Sequence, residues 1–159
     1  MKIRIICVGK LKEAFYRDAC AEYRKRLTRY AEVEIAEVAD EKTPDDPSGN
    51  ERRRILDIEG ERILKHIRPQ DHCIALAIDG KRRTSEAFAK ELGDAMTGGI
   101  SSVAFVIGGS LGLGEKVLAR ADRKLSFSDF TFPHQLMRVI LLEQVYRAFR
   151  ILKNEPYHK

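Results

Sequence analysis

Apolar and polar residues alternate along the chain in a pattern that predicts strands and helices in turn. Short apolar runs typical of buried strands occupy residues 2–8, 33–38, 73–78, 102–107 and 124–126. Between them, helical spacing extends over residues 13–28, 50–67 and 85–96, begins again near residue 114, and covers residues 133–153. This alternation predicts an α/β fold, with a mainly parallel sheet and helices on both faces.

Length and composition indicate a single domain over residues 1–159, since 43% of the residues are hydrophobic and no linker or repeat interrupts the pattern. No apolar run is long enough to span a bilayer, and MKIRIICVGK resembles a charged strand more than a signal peptide. We therefore expect a cytoplasmic protein without a membrane partner. Cys7, Cys20 and Cys73 have no metal-binding or disulfide spacing, which predicts reduced, buried thiols and no metal site.

The charge of the chain is compatible with a polyanionic partner. The formal net charge is +5, and residues 1–30 contain nine Lys or Arg against three acidic residues. The alternative is that YRKRLTRY forms only the solvated face of a helix. Charge alone favours neither interpretation.

The stretch AFVIGGSLGLG, residues 104–114, places four glycines directly after a predicted strand. A P-loop needs Lys and a hydroxyl residue after the last glycine, but Glu115 and Lys116 stand there. The dinucleotide fingerprint G-x-G-x-x-G does not fit either. The glycines therefore predict a close approach of backbone to a ligand other than a triphosphate.

The segments that follow three of the predicted strands, the strand exits, are expected to form one pocket, because parallel sheets bind ligands at the carboxyl ends of their strands. The exits are LAIDG, IGGSLG and SFSDFTFPH, and none carries a nucleophile–base pair or an acidic metal-binding pair. We expect a pocket of backbone groups and apolar side chains, suited to an adenosine-like cofactor. The alternative is three ordinary turns.

The last predicted helix has apolar residues around nearly its whole circumference from residue 136 to residue 152. Such a helix must be covered on more than one side, and in a short chain a second copy can provide the cover. We therefore expect a homodimer. A central helix buried within the monomer is the alternative.

Several motifs resemble one known family. FVIGGSLGL, LSFSDFTFPHQLMRVILLEQVYRAF and the terminal PYHK are similar to the RlmH family, the pseudouridine N3-methyltransferases of large-subunit (23S) rRNA within the SPOUT superfamily. The similarity extends over essentially the whole chain. It implies a C-terminal trefoil knot, a homodimer, S-adenosyl-L-methionine as methyl donor, and a pseudouridine of 23S rRNA in the ribosome as acceptor.

The resemblance also implies site residues. The family's cofactor contacts fall on Leu76, on Gly108 and on the stretch Phe127, Ser128, Asp129, Phe130, Thr131 and Phe132. Its catalytic positions fall on Arg147, Tyr157 and His158, the last two on a short terminal arm. Arg147 would stabilise negative charge on the acceptor ring, Tyr157 would stack or hydrogen-bond, and His158 would accept or relay the N3 proton.

Two other function classes are compatible with parts of the sequence. A basic RNA-binding module without catalysis would have the same charge but no need for GGSLGLG. A nucleotide-binding hydrolase would need phosphate or metal ligands, which the motifs do not supply. Binding of S-adenosyl-L-methionine but not of nucleoside triphosphates would separate the three.

Overall fold

The computed structural model describes all 159 residues and contains the ten predicted elements. The strands are β1 Lys2–Val8, β2 Glu32–Val38, β3 His72–Arg82, β4 Ser102–Ile107 and β5 Arg123–Ser126. The helices are α1 Ala14–Leu27, α2 Gly49–Leu64, α3 Ser85–Thr97, α4 Glu115–Arg120 and α5 His134–Leu152. Ser48 and Glu51 form the capping box that starts α2.

The five strands form one sheet in the order β2-β1-β4-β3-β5, and all neighbouring pairs are parallel. The predicted parallel sheet is confirmed. Because every strand runs the same way, the carboxyl ends of all five lie at one edge of the sheet. β3 is longer than predicted, since a register shift between Leu76 and Lys81 allows it to pair with β5 a second time.

Helices cover both faces of the sheet, and side chains alternate between them. In β1, Ile3 and Ile5 belong to the larger apolar core, which also contains side chains of α1, α3 and α5. Ile6 and Val8 belong to the second core, which α2 and α4 complete. The three cysteines are buried and unpaired, as predicted.

Helix α5 is the most deeply placed helix, yet one stripe of it lacks a full cover. Leu141, Leu142 and Val145 are completely buried in the larger core. Leu136 and Ile140, one turn apart, are only partly buried and contribute to neither core. A second copy of the chain could cover this stripe, and the homodimer therefore stays a proposal.

Gly80 marks the closest approach of β3 to β5. A Cβ atom at Gly80 would stand 2.8 Å from backbone atoms of both Leu125 and Lys124, a contact that only backbone movement relieves. We predict that Gly80→Ala lowers the free energy of unfolding by about 1–3 kcal/mol, measured by chemical denaturation. Gly49→Ala is the matched control, because no heavy atom lies within 4 Å of its Cβ position. Equal midpoints for the two variants would contradict this account of Gly80.

Candidate active site

A cavity of about 850 Å³ opens at the carboxyl edge of the sheet. Three segments form its walls: residues 76–79 in the second half of β3, residues 107–113 after β4, and residues 125–135 after and around the end of β5, except residue 129. These are the three strand exits that the sequence singled out. The structure therefore brings them together around one space of the size that holds small ligands and cofactors.

Seven of the eight predicted cofactor-binding residues line this carboxyl-edge cavity: Leu76, Gly108, Phe127, Ser128, Phe130, Thr131 and Phe132. The eighth, Asp129, does not. Its carboxylate points outward and accepts a hydrogen bond of 2.8 Å from Arg82. Phe130 stands at the mouth of the cavity with 79% of its surface exposed, which is unusual for a large apolar side chain without a partner.

The glycine loop after β4 is a tight turn in which the Gly112 amide donates to the Gly109 carbonyl at 3.1 Å. A Cβ atom on Gly108 would lie 2.4 Å from the Gly112 carbonyl oxygen. The fold itself thus requires glycine at this position, apart from any clearance that a ligand needs. Gly108 is needed because the loop closes against its own backbone.

Unpaired backbone amides occur in both main loops that line the cavity. Those of Ser110, Thr131 and Phe132 have no acceptor within the chain, whereas Gly109 and Gly112 pair with each other across the turn. The remaining wall is mostly apolar, with Ile107, Leu113, Leu118 and Leu125 among the lining side chains. Such a site can hold a planar, polar-edged group between apolar surfaces, as an adenosine-bearing cofactor requires.

Glu59 supports the glycine loop from behind, and sequence reasoning missed it. The side chain is 4% exposed, and it accepts a hydrogen bond of 2.9 Å from the Glu41 amide. Its Oε1 lies 3.3 Å from the position that a Cβ on Gly109 would take, and burial raises the pKa of this carboxyl group. The sequence does contain one indication that Glu59 is buried. It lies one helical turn from Ile55 and from Ile63, on the buried side of α2.

The predicted catalytic residues lie together, but on another part of the chain. The Tyr157 hydroxyl donates to Glu143 at 3.0 Å, and the Arg147 guanidinium lies 4.7 Å from the centre of the Tyr157 ring. Arg147 also donates from Nε to Glu143 at 3.0 Å, while His158 bridges Arg147 and Glu86. We call these five residues the acceptor cluster. Glu143 at its centre was not predicted, although it stands four residues before Arg147 on the helix.

Protonation in the acceptor cluster follows from its contacts. Because a guanidinium can only donate, His158 Nδ1 must accept from Arg147 at 3.1 Å, and Nε2 then donates to Glu86 at 2.7 Å. Neither ring nitrogen is free to take a proton while both contacts persist. Burial and the bond to Glu143 raise the pKa of Tyr157 to about 12, so its hydroxyl can donate or stack but is a poor base.

The terminal segment, residues 154–159, which the sequence analysis treats as a short arm, is docked against the rest of the chain. Glu155 accepts a hydrogen bond of 2.7 Å from the Tyr30 hydroxyl and also pairs with Arg150. Arg150 donates in addition to the Pro156 carbonyl at 2.7 Å. The Tyr157 ring packs edge-on against Tyr146. These contacts hold the segment along its own α5.

The cavity and the acceptor cluster are far apart within one chain. His134 lies at the cavity wall at the start of α5, and Arg147 follows thirteen residues later on the same helix. A helix rises by about 1.5 Å per residue, so the two positions are about 20 Å apart. No hydrogen bond joins the predicted cofactor-binding residues to Arg147, Tyr157 or His158 within one chain.

The rest of the chain offers fewer candidates. A second cavity, of about 240 Å³, lies between α3 and the amino ends of β3 and β4, away from both groups of residues. No three His, Cys, Asp or Glu side chains are close enough together to hold a metal ion. None of the helices combines the length and apolarity needed to cross a membrane.

Comparison with known proteins decides the family. A family model described as "Predicted SPOUT methyltransferase" matches residues 1–158. The chain belongs to the SPOUT methyltransferase family. A protein of Bifidobacterium animalis subsp. lactis and one of Bacillus pumilus, both named ribosomal RNA large subunit methyltransferase H, are each 58% identical to it over the whole length of both chains. A protein of the same name from Streptococcus agalactiae is 55% identical over the same span.

A solved structure agrees with the fold. A probable methylase family protein from Haemophilus influenzae Rd KW20 superposes with a TM-score of 0.56 at 15% identity, covering 99% of this chain and 70% of the other. The predicted membership of the RlmH family is confirmed by the full-length relatives. This SPOUT chain is thus a methyltransferase, and the alternatives of a non-catalytic RNA-binding module and a hydrolase are not supported.

Proposed function

We propose that this chain transfers a methyl group from S-adenosyl-L-methionine to N3 of a pseudouridine in 23S rRNA, on the assembled ribosome in the cytoplasm. The observation that carries the proposal is the carboxyl-edge cavity with its unpaired amides, in a chain at least 55% identical over its full length to enzymes named for large-subunit rRNA methylation. As the resemblance implies, the C-terminal part of the fold would form a trefoil knot.

In this proposal the cavity holds the methyl donor. The amides of the glycine loop and of residues 127–132 would bind the polar edges of the adenosine, while Leu76 and the other apolar side chains enclose its faces. When bound, S-adenosyl-L-methionine supplies a methyl group on a positively charged sulfur. Glu59 would keep the glycine loop in the shape that presents its amides.

A homodimer would bring the acceptor cluster to the cavity. Methyl transfer requires reacting atoms about 3–3.5 Å apart, whereas one chain separates His134 and Arg147 by about 20 Å. The half-buried stripe of Leu136 and Ile140 lies on α5 beside the cavity. If α5 pairs with α5 of a second copy across this stripe, the acceptor cluster of one protomer can reach the cavity of its partner.

The chain's own residues then have two tasks. They hold N3 of the acceptor in line behind the methyl group, and they accommodate the charge left when N3 loses its proton. Arg147 is the cation available for that charge, and Tyr157 offers a ring and a hydroxyl. His158 can take the proton only after its Nδ1 is released from Arg147. The pseudouridine would cause this release if it binds Arg147 in place of His158.

The basic face of α1 adjoins the acceptor cluster and would contact phosphates of the RNA. Arg24, Lys25 and Arg26 are exposed, although Arg26 pairs with Glu22 at 3.0 Å. The Arg26 guanidinium also lies 5.7 Å from the Tyr146 ring, against which Tyr157 packs. Cations beside the acceptor residues suit a polyanionic substrate.

Two measurements test the proposed function. Calorimetry should give saturable binding of S-adenosyl-L-methionine, and no binding of nucleoside triphosphates. Incubation with ribosomes that lack the modification should add one methyl group to a pseudouridine of 23S rRNA, detected by mass spectrometry of nuclease fragments, and protein-free rRNA should react far less. A chain that binds the donor but methylates neither substrate would contradict the assignment of the acceptor.

A further inference from the structure

His134 is a polar side chain of the cavity wall. It is not among the site residues that the family resemblance implies, and the proposed mechanism gives it no role. It is the first residue of α5 and lines the carboxyl-edge cavity. Its Nδ1 is buried without a hydrogen-bond partner, and that side of the ring packs against Gly9, with Cε1 3.3 Å from the position that a Cβ there would take. Nε2 also has no partner in the chain but is not buried, so it is the nitrogen open to the cavity.

The surroundings decide where the imidazole proton resides. Burial and the nearby charge of Arg138 lower the pKa of His134, against weaker opposing effects of Asp40 and Glu13, so the ring is neutral at pH 7. A buried N–H without an acceptor is costly, and Nδ1 has no acceptor. The single proton therefore belongs on Nε2, and His134 presents a neutral hydrogen-bond donor to the cavity.

Other unpaired donors converge on the same point. The first backbone hydrogen bond of α5 joins the Met137 amide to the Pro133 carbonyl, so the amides of His134, Gln135 and Leu136 have no acceptor. No side chain caps this end of the helix. Arg138, one turn further on and 1% exposed, donates to Glu37 at 2.6 Å and to the Gly9 carbonyl at 3.2 Å, so only its Nε is unpartnered. Unpaired donors at the positive end of the helix dipole together favour an anion.

We propose that His134 binds the carboxylate at the amino-acid end of the methyl donor, donating from Nε2 beside the free amides of α5. The inference rests on the proposed function and names one further contact of its site. The carboxylate is the only anionic group of S-adenosyl-L-methionine, whereas its ammonium and sulfonium groups are cations that this end of α5 repels. The amino-acid end would thus lie toward α5 and the adenosine toward the glycine loop.

Two ligands that differ at the amino-acid end test the contact by calorimetry. S-Adenosylhomocysteine carries the carboxylate, and 5′-methylthioadenosine lacks the whole amino-acid part. His134→Ala should weaken binding of S-adenosylhomocysteine by about 10- to 100-fold, the usual effect of losing a hydrogen bond to a charged group. Binding of 5′-methylthioadenosine should change less than about twofold, because it makes no such bond.

Two conservative variants separate the donor from the bulk of the ring. The Gln side-chain amide reaches about as far as imidazole Nε2, whereas that of Asn reaches only as far as Nδ1. His134→Gln should therefore retain most of the affinity for S-adenosylhomocysteine, and His134→Asn should lose it. His66→Gln, on an exposed histidine far from the cavity, is the control for the substitution itself.

The possible outcomes are distinct. Equal weakening of both ligands by His134→Ala, or no weakening of either, would overturn the carboxylate contact while leaving the proposed function intact. A wild-type chain that binds neither ligand would overturn the proposed function and this contact with it. Nitrogen-15 spectra of the wild-type imidazole should show the Nε2–H tautomer at pH 7, and the Nδ1–H tautomer would contradict the geometry.

Discussion

Gly108→Ala is expected to weaken binding of S-adenosyl-L-methionine strongly in a chain that still folds. The added methyl would stand 2.4 Å from the Gly112 carbonyl oxygen and 2.6 Å from its carbon, so the turn between Gly109 and Gly112 must open. The amides of that turn then leave the cavity wall. Since each hydrogen bond contributes about 1–1.5 kcal/mol, losing two should weaken binding about 100-fold, as measured by calorimetry.

Ser110→Ala is the matched control for this prediction, because Ser110 lies in the same turn but is exposed. Its side chain has one contact, 3.3 Å from the Thr43 hydroxyl, and removing it leaves the turn intact. Affinity should therefore change little. The fold of Gly108→Ala should survive because β4 is buried along its whole length, which circular dichroism and a denaturation midpoint can check. Wild-type affinity in a folded Gly108→Ala chain would contradict the loop's role in binding.

The strands and helices could be predicted because their apolar patterns are strong and their ends carry ordinary signals. One boundary could not. Asp79 and Gly80 are a typical turn signal, yet the structure places both inside β3. Because Gly80 has no side chain, β3 can pass so close to Leu125 that a Cβ atom on residue 80 would stand 2.8 Å from the Leu125 backbone. That tertiary approach has no local signature in the sequence.

The location of the site could be predicted, but the roles of single residues could not. Strand exits in a parallel sheet meet at one edge, so the cavity followed from the order of elements. Asp129 was carried over with its neighbours, although its side chain turns outward to Arg82. Glu59 packs against Gly109, and His134 packs against Gly9, and the two members of each pair are distant in the sequence. Only the folded chain shows such pairs.

The docking of the terminal segment, residues 154–159, could not be predicted from the sequence either. PYHK after a helix is typical of a frayed end, and nothing local indicates that Glu155 reaches Tyr30 or that His158 reaches Glu86. Docking fixes the acceptor cluster on its own α5, where Arg147 lies about 15 Å from Met137, the last residue of that helix in its own cavity wall. Because of this separation, the proposed mechanism requires a site that two protomers share. An experiment that detects such sharing tests the mechanism most directly.

Loss of residues 154–159 should reduce methyl transfer by about 100- to 10,000-fold, the range typical of losing acid–base and positioning groups. Binding of S-adenosyl-L-methionine should remain, because the truncation does not touch the cavity. Tyr157→Phe with His158→Ala is the gentler version, since it keeps the Glu155 contacts that hold the segment to Tyr30. Methylation of ribosomes is the measurement, and a normal rate in both variants would transfer the acceptor role to Arg147 alone.

A heterodimer that combines two inactive chains should regain activity. If the terminal segment of one protomer serves the cavity of its partner, a truncated chain paired with a Gly108→Ala chain has one complete site, formed by the intact cavity of the first and the intact segment of the second. Purified through two different affinity tags, it should reach about half the wild-type rate, because one of two sites is whole. If each chain instead served its own cavity, both sites would carry a defect and the heterodimer would be inactive. Pairing two truncated chains through the same tags gives the background rate against which recovery is judged.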